Sequence, residues 1–257
     1  MARIFITGST QGLGFMAASE LIAKGHDVVV HARHHQAADA VKRSLIGVRG
    51  IVEGDVVTMR AIRSLADQAN DVGPFDAIIH NVGIGYRENR RIATEDGLSH
   101  VFAINTVAPF MLTALMERPR RLIYLSSGLH RGASAGLDDL SWTKRRWNGT
   151  TAYSESKFQD VLLAFAIARR WPEVFSNALE PGWVATRMGG KGAPDDLDQG
   201  HRTQVWLAVS DDAAAKVSGE YFYHQGRRDP HPLTRDTGLQ DRFVEALEAI
   251  TGVRLRV

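Results

Sequence analysis

A chain of 257 residues with 31 basic and 29 acidic side chains has a formal charge of only +2, which is no nucleic-acid footprint. It has no cysteine, so disulfides, thiolate nucleophiles and cysteine-based metal sites are excluded as well. No run approaches the roughly 20 apolar residues a membrane span needs, and no charged leader precedes the first strand pattern, so a cytoplasmic location is expected.

The first element is a β-branched run, Arg3–Thr7, that enters the turn Gly8-Ser9-Thr10-Gln11-Gly12-Leu13-Gly14 and then an apolar helix, Gly12–Lys24. That order builds a cradle for a dinucleotide phosphate. Gly8 permits the tight turn, Gly12 lets backbone approach a pyrophosphate, Gly14 lets helix pack on strand, and the helix N-terminus offers unpaired N–H groups to the anion. Further strands are predicted at Asp27–His31, Gly50–Glu53, Ala77–His80, Arg121–Ser126, Ser176–Glu180 and Glu220–Tyr223. Helices are predicted at Gln36–Leu45, Met59–Asn70, Glu95–Glu117, Tyr153–Arg170, Leu197–Val209 and Gln240–Ile250, the last opened by a capping box from Thr237 to Gln240. Seven strands alternating with helices predict one α/β domain over 1–257, a doubly wound, mostly parallel sheet with helices on both faces. Two stretches break the rhythm, Gly128–Thr151 and the Gly/Pro/Asp-rich Gly182–Gly200, and long loops in compact domains are usually functional or mobile.

Tyr153 and Lys157 sit four residues apart and share one helix face. A free tyrosine titrates near ~10, but a neighbouring ammonium stabilises the phenolate and makes the phenol a usable acid or base. Upstream, the strand pattern ends in Ser126-Ser127, placing a hydroxyl at the carboxyl edge of the sheet, where open α/β folds bind ligands.

Taken together these residues resemble the short-chain dehydrogenase/reductase family in its compact, single-domain Rossmann form, over nearly the whole chain. Thr7-Gly8-x-x-x-Gly12-x-Gly14 is similar to the family's cofactor turn, and His80-Asn81-Val82-Gly83 to its Asn-Asn-Ala-Gly segment, with the first Asn and the Ala replaced. Pro181-Gly182-Trp183-Val184-Ala185-Thr186 resembles the stretch that closes over the nicotinamide. The resemblance implies a catalytic set of Asn105, Ser127, Tyr153 and Lys157, with Ser126 structural. It implies cofactor contacts from Gly8, Ser9, Thr10, Gln11, Gly12, Leu13, Gly14, Asp55, Val56, Asn81, Val82, Gly83, Tyr153, Lys157, Pro181, Gly182, Val184 and Thr186. For Asn105 the simpler role is a backbone hydrogen bond inside its helix, and for Asp55 a turn or cap.

Cofactor choice follows from the end of the second strand, His31-Ala32-Arg33-His34. NAD users place a carboxylate there for the ribose 2′-hydroxyl, and none is present. Arg33, helped by Ser9 or Thr10 and by His34, is suited to a 2′-phosphate, so NADP is expected over NAD; the alternative is a solvated loop cation. The insertion 128–152 resembles that of retinol-dehydrogenase-like members, including Asp138–Leu140. Leu137, Trp142 and Trp147 either wall off a bulky apolar carbonyl compound or pack the loop onto its own domain. Lys144, Arg145 and Arg146 read as a solvated face, His130 as a pocket or surface histidine, and 187–200 as a lid with glycine hinges. The tail Tyr223–Pro232 shows no period and is placed at the border of the same cleft.

The expected function is NADP(H)-dependent interconversion of a carbonyl and an alcohol, with Tyr153 as general acid/base. The alternatives are reduction of an enone double bond or a non-catalytic NADP-sensing protein on the same scaffold. Histidines are scattered without a helical His-x-x-x-His pair, so no metal is expected, and Leu125-Ser126-Ser127-Gly128 is not a hydrolase elbow. The family resemblance implies homodimers or homotetramers.

Overall fold

A computed structural model describes residues 1–256. Strands β1 (Arg3–Ile6), β2 (Asp27–Ala32), β3 (Gly50–Glu53), β4 (Ala77–His80), β5 (Arg121–Leu125), β6 (Phe175–Glu180), β7 (Tyr221–Tyr223) and β8 (Gly226–Arg227) form one sheet in the order β3-β2-β1-β4-β5-β6-β7-β8. The first seven run parallel, as expected. The eighth strand is additional and antiparallel, formed because His224 and Gln225 both adopt left-handed backbone (φ 46 and 65) and turn the chain back in a two-residue hairpin. Gln225 is held there by its N–H donating to Thr203 Oγ1 at 3.1 Å. A two-residue, exposed strand carries no readable period, which is why the tail looked structureless.

Helices α1 (Gly12–Ala23), α2 (His35–Ser44) and α7 (Gln199–Val209) cover one face, while α3 (Met59–Val72), α5 (Ala108–Leu115), α6 (Gly149–Arg170) and α8 (Thr237–Thr251) cover the other. Alternate strand residues feed the two layers. Ile4 and Ile6 of β1 pack with Leu21 and Val205, whereas Phe5 between them packs with Leu65, Phe110 and Leu162. Both faces are buried, so the central strand positions are mostly apolar and read as near-continuous runs, with His31, His80 and Glu180 as buried polar exceptions at or near strand ends.

Three boundaries differ from expectation. The helix expected from Glu95 begins only at α4 (His100–Phe102), because Asp96 and Gly97 form a tight turn: Gly97 has φ +76, and Asp96 Oδ2 accepts from the Met59 N–H at 2.8 Å. Between α4 and α5 the chain makes one π-helical turn, Ala103–Val107, a feature often found at functional sites. Helix α6 starts four residues before Tyr153, capped by Asn148 accepting from Thr151 N–H at 2.9 Å. At α8 the cap is Asp236, which accepts from Leu239 N–H at 2.8 Å, while the Gln240 amide donates to Thr234 O at 2.8 Å; the Thr237/Gln240 capping box does not form.

The connection from β1 runs to β2 on one side and that from β4 to β5 on the other, so the switch-point crevice of such a sheet lies at the carboxyl ends of β1 and β4.

Candidate active site

The turn after β1 shows three distinct glycine environments. Gly8 has φ +63, and a Cβ there would lie 3.0 Å from Val82 Cα; a Cβ on Gly14 would lie 2.7 Å from Gly8 O. Gly12, at φ +58, faces open space, with nothing within 4 Å of where a Cβ would sit. Gln11 provides no side-chain cap to α1, so the first-turn N–H groups are available to an anion. Thr10 and Leu13 are half-buried beside that opening, and Gln11 is exposed. Ser9 behaves differently: it is buried, its Oγ donates to Ile6 O at 2.7 Å and accepts from His31 N–H at 3.0 Å, so its hydroxyl shapes the turn instead of facing its mouth.

His31 braces the same turn. Its Nδ1 accepts from Gly8 N–H at 3.0 Å and its Nε2 donates to Gly54 O at 2.7 Å, and burial lowers its pKa. Arg33 is exposed and has no hydrogen-bond or ion-pair partner among the described residues. His34 is used as the α2 cap, its Nδ1 accepting from Ala37 N–H at 3.3 Å. Asp55 makes an Asx turn, with Oδ1 accepting from Val56 and Val57 N–H at 2.7 and 3.1 Å, and Val56 is buried in the core. Asn81 Nδ2 donates to Thr7 O and Gly8 O at 2.9 and 3.0 Å, tying the β4 end to the glycine turn. These open, uncapped and unpaired features fit a phosphate-bearing dinucleotide.

On the other side of the crevice, α6 presents Tyr153 and Lys157, both buried. Lys157 Nζ donates to Leu125 O and to Asp160 Oδ2, each at 2.8 Å, and lies 6.0 Å from the centre of the Tyr153 ring. A Cβ on Gly83 would approach that Nζ to 3.5 Å, so the ammonium reaches the chain that follows β4. Burial pushes the Tyr153 phenol up, while the Lys157 charge and the Ser127 hydroxyl pull it down. Ser127 caps the short 3₁₀ turn Gly128–Gly132, its Oγ accepting from Leu129 N–H at 3.3 Å. Ser126 is spent on the helix, donating to Lys157 O at 2.7 Å.

Asn105 lies at the centre of the π turn and is fully buried. Its amide donates to Ile84 O at 3.0 Å and to Ser156 Oγ at 2.9 Å, and its Oδ1 accepts from Ile84 N–H at 2.8 Å. Pro109, having no N–H, leaves the Asn105 carbonyl without its α-helical donor.

The segment after β6 folds over this crevice. Gly182 has φ +86 and sits against Asp195, whose Oδ2 accepts from Trp183 N–H at 2.6 Å. Buried Val184 pairs with Asp195, and Thr186 Oγ1 accepts from Gly189 N–H at 3.2 Å. This knot carries Met188 to Tyr153, where Sδ lies 4.0 Å from the phenol oxygen.

Comparison with known proteins places this arrangement. The family model of the short chain dehydrogenase matches residues 2–122. The chain is 41% identical over 259 aligned residues to the short-chain dehydrogenase chry4 of Gibberella zeae, covering 99% of both. The chain belongs to the short-chain dehydrogenase/reductase family. It is 27% identical to human Retinol dehydrogenase 14, over 97% of this chain and 86% of that one. A solved structure of an uncharacterized protein from Mycobacterium Paratuberculosis superposes with a TM-score of 0.85 at 26% identity, covering 100% of this chain and 96% of that one.

In this short-chain dehydrogenase/reductase, an NAD(P)-dependent enzyme with an α/β Rossmann-like fold, the insertion 128–152 is folded onto its own domain. Trp142 is buried and donates to Glu155 Oε2 at 3.0 Å; Trp147 donates to Glu88 O at 2.9 Å and meets Trp142 edge-on. Arg145 is exposed, as expected of a solvated face, but it also forks onto Glu155 with two 2.8 Å bonds and stacks on Trp142 at 3.8 Å. The site is flanked by residues that the sequence did not single out. Tyr86 meets Tyr153 edge-on at 5.7 Å, and Met188 covers its hydroxyl. His130 is neither a pocket wall nor a surface residue but fully buried, and the tail's Arg228 joins Arg131 on the buried Glu180, at 3.0 and 2.8 Å. No sequence period marks such residues, because each acts through one cross-fold contact. Asp160 alone had a cue, being an acid in an apolar helix three residues after Lys157. Among the described residues no helix is long and apolar enough to cross a membrane.

Proposed function

We propose that the enzyme uses NADP(H) to interconvert a carbonyl and an alcohol, with Tyr153 giving or taking the proton at the substrate oxygen. One observation carries the reading: α6 holds the Tyr153 ring 6.0 Å from the Lys157 ammonium, and that ammonium is fastened to Leu125 O at 2.8 Å, at the end of the strand that runs into Ser126-Ser127. When bound, the nicotinamide supplies or accepts the hydride. Burial keeps the Tyr153 phenol protonated and ready to donate to a carbonyl oxygen, and the Lys157 charge stabilises the phenolate left behind. Ser127 holds the substrate oxygen, and the Asn105 carbonyl, which lacks its i+4 donor, accepts a hydrogen bond from a water that returns the proton.

In the same reading Gly8, Thr10, Gln11, Gly12, Leu13 and Gly14 hold the pyrophosphate, Asp55 and Val56 the adenine, and Asn81, Val82 and Gly83 the adjoining ribose. Pro181, Gly182, Val184 and Thr186 cover the nicotinamide, and Arg33, without a partner among the described residues, takes the 2′-phosphate. Met188 and Tyr86 make the substrate side apolar. The test follows NADPH oxidation with a panel of aldehydes, ketones and enones. Tyr153→Phe is expected to lower turnover at least about a hundredfold, the usual range for a general acid; unchanged turnover would remove Tyr153 from the role.

A further inference from the structure

Asp160 is an acid placed where the apolar side of α6 meets the sheet. It is 3% exposed, and neighbours along the helix, Val161, Leu162 and Leu163, are fully buried core residues. A carboxylate in such surroundings is costly unless paired. One oxygen, Oδ2, accepts from Lys157 Nζ at 2.8 Å; the other, Oδ1, has no partner among the described residues.

The geometry at Lys157 shows what the pairing does. An ammonium has three donors. Asp160 Oδ2 takes one and Leu125 O, on the facing strand β5, takes a second, both at 2.8 Å. Two acceptors on different elements remove the rotational freedom of a long side chain and aim the remaining N–H toward Gly83 and the crevice. We propose that Asp160 is the positioning residue for Lys157, with its carboxylate and the Leu125 carbonyl fixing the ammonium so that its third donor faces the nucleotide ribose. The inference rests on the functional reading above and adds a residue to it.

Asp160 also sets the charge that Tyr153 feels. The Lys157–Asp160 pair is neutral overall, so the carboxylate opposes the pull of the ammonium on the phenol, and it raises Tyr153 accordingly. Burial raises Asp160 itself to about 6, below the alkaline limb, and Tyr86, edge-on to Tyr153 at 5.7 Å, is the same in every variant compared. Tyr124 of β5 is kept protonated by burial, and His80 of β4 is driven down to about 3. These two meet at Thr113 of α5, whose Oγ1 lies 2.7 Å from Tyr124 OH and 3.0 Å from His80 Nε2. Any shift of the alkaline limb on changing Asp160 therefore reports on Lys157 and Tyr153.

The experiment compares wild type, Asp160→Asn, Asp160→Leu and Tyr153→Phe. Each is measured by NADPH-induced melting shift and by carbonyl reduction against pH. Asp160→Asn keeps an acceptor for Lys157 and loses the charge, so turnover near neutrality is retained while the alkaline limb moves down by about half a unit to one unit. Asp160→Leu loses the acceptor, so turnover falls at least about tenfold and the NADPH melting shift shrinks. Should Asp160→Leu fail to fold, the limb of Asp160→Asn decides. An Asn variant with the wild-type limb, or a folded Leu variant with wild-type turnover and NADPH shift, overturns the proposal. If those results accompany an inactive Tyr153→Phe, only the role of Asp160 has failed. An active Tyr153→Phe brings down the functional reading and the proposal with it.

Discussion

His130 holds Ser127 by its backbone: Nδ1 donates to Ser127 O at 2.7 Å. The other ring nitrogen, Nε2, accepts from His231 N–H at 3.1 Å, so one tautomer serves both bonds and the C-terminal tail is latched to the loop that carries the serine. Protonation would set two N–H groups face to face. Burial accordingly lowers the His130 pKa from 6.5 to about 4.

The sign of the pH dependence follows. The unfolded chain takes up this proton near 6.5 and the folded one only near 4, so the stabilisation is complete above 6.5 and is lost as pH falls toward 4. The size is about 3 kcal/mol over that window, and His80, lowered to about 3, adds in the same direction. Thermal melts from pH 7 to pH 4 should therefore decline steeply in the wild type and less so in His130→Asn, whose amide keeps the bond to Ser127 but not the one from His231. Parallel declines in the two proteins would refute the assignment.

Arg33 is expected to decide cofactor preference. Arg33→Ala should lower NADPH affinity by about tenfold or more, the worth of a charge-assisted fork on phosphate, and leave NADH unaffected. Titration of both nucleotides against both proteins, read as melting shifts, tests this; equal losses for the two nucleotides would show that Arg33 does not sense the 2′-phosphate.

Gly12 and Gly14 should respond differently to alanine. Gly14→Ala drives a Cβ to 2.7 Å from Gly8 O, a backbone atom that cannot step aside, and should cost about 1–3 kcal/mol with or without nucleotide. Gly12→Ala meets no atom and carries only the left-handed strain of about 1–2 kcal/mol, but fills the space set aside for pyrophosphate. Its larger effect is expected on NADPH binding. Equal nucleotide affinity in Gly12→Ala and wild type would place the phosphate elsewhere.

Around the insertion, Arg145→Ala should destabilise more than Glu155→Gln. The first strands a carboxylate whose side chain is 4% exposed, whereas the second leaves an arginine that is 38% exposed and can turn to water. With solvent screening of that arginine taken into account, about 2 kcal/mol is expected for Arg145→Ala. Denaturant midpoints of the two variants provide the check, and the reverse order would mean that the pair is not what anchors the loop.

Much of this protein was legible in its residues. Seven strands, the glycine turn and the Tyr153/Lys157 spacing all rest on local rules: period, steric freedom at glycine, and the geometry of one helix face. The errors lie where local rules compete. The capping box at Thr237 lost to Asp236, and the long helix from Glu95 was shortened by a turn whose Asp96 caps a different helix. For Trp142 the choice between cleft wall and loop packing stayed open, and the pairing of exposed Arg145 went unread, because the partner of both, Glu155, lies on α6.

The order of elements and the placing of the cofactor turn and the Tyr153/Lys157 pair follow from the sequence alone, since neighbours along a chain determine backbone conformation and which side chains share a face. The tertiary structure alone decided what these groups touch: Asp160 and Leu125 O on the lysine, His130 and His231 behind the serine, Met188 over the phenol, Ser9 turned inward to the strands. Those contacts join residues brought together by sheet crossovers, and burial then sets their charge. Neither distance nor dielectric is encoded at any single position of the chain.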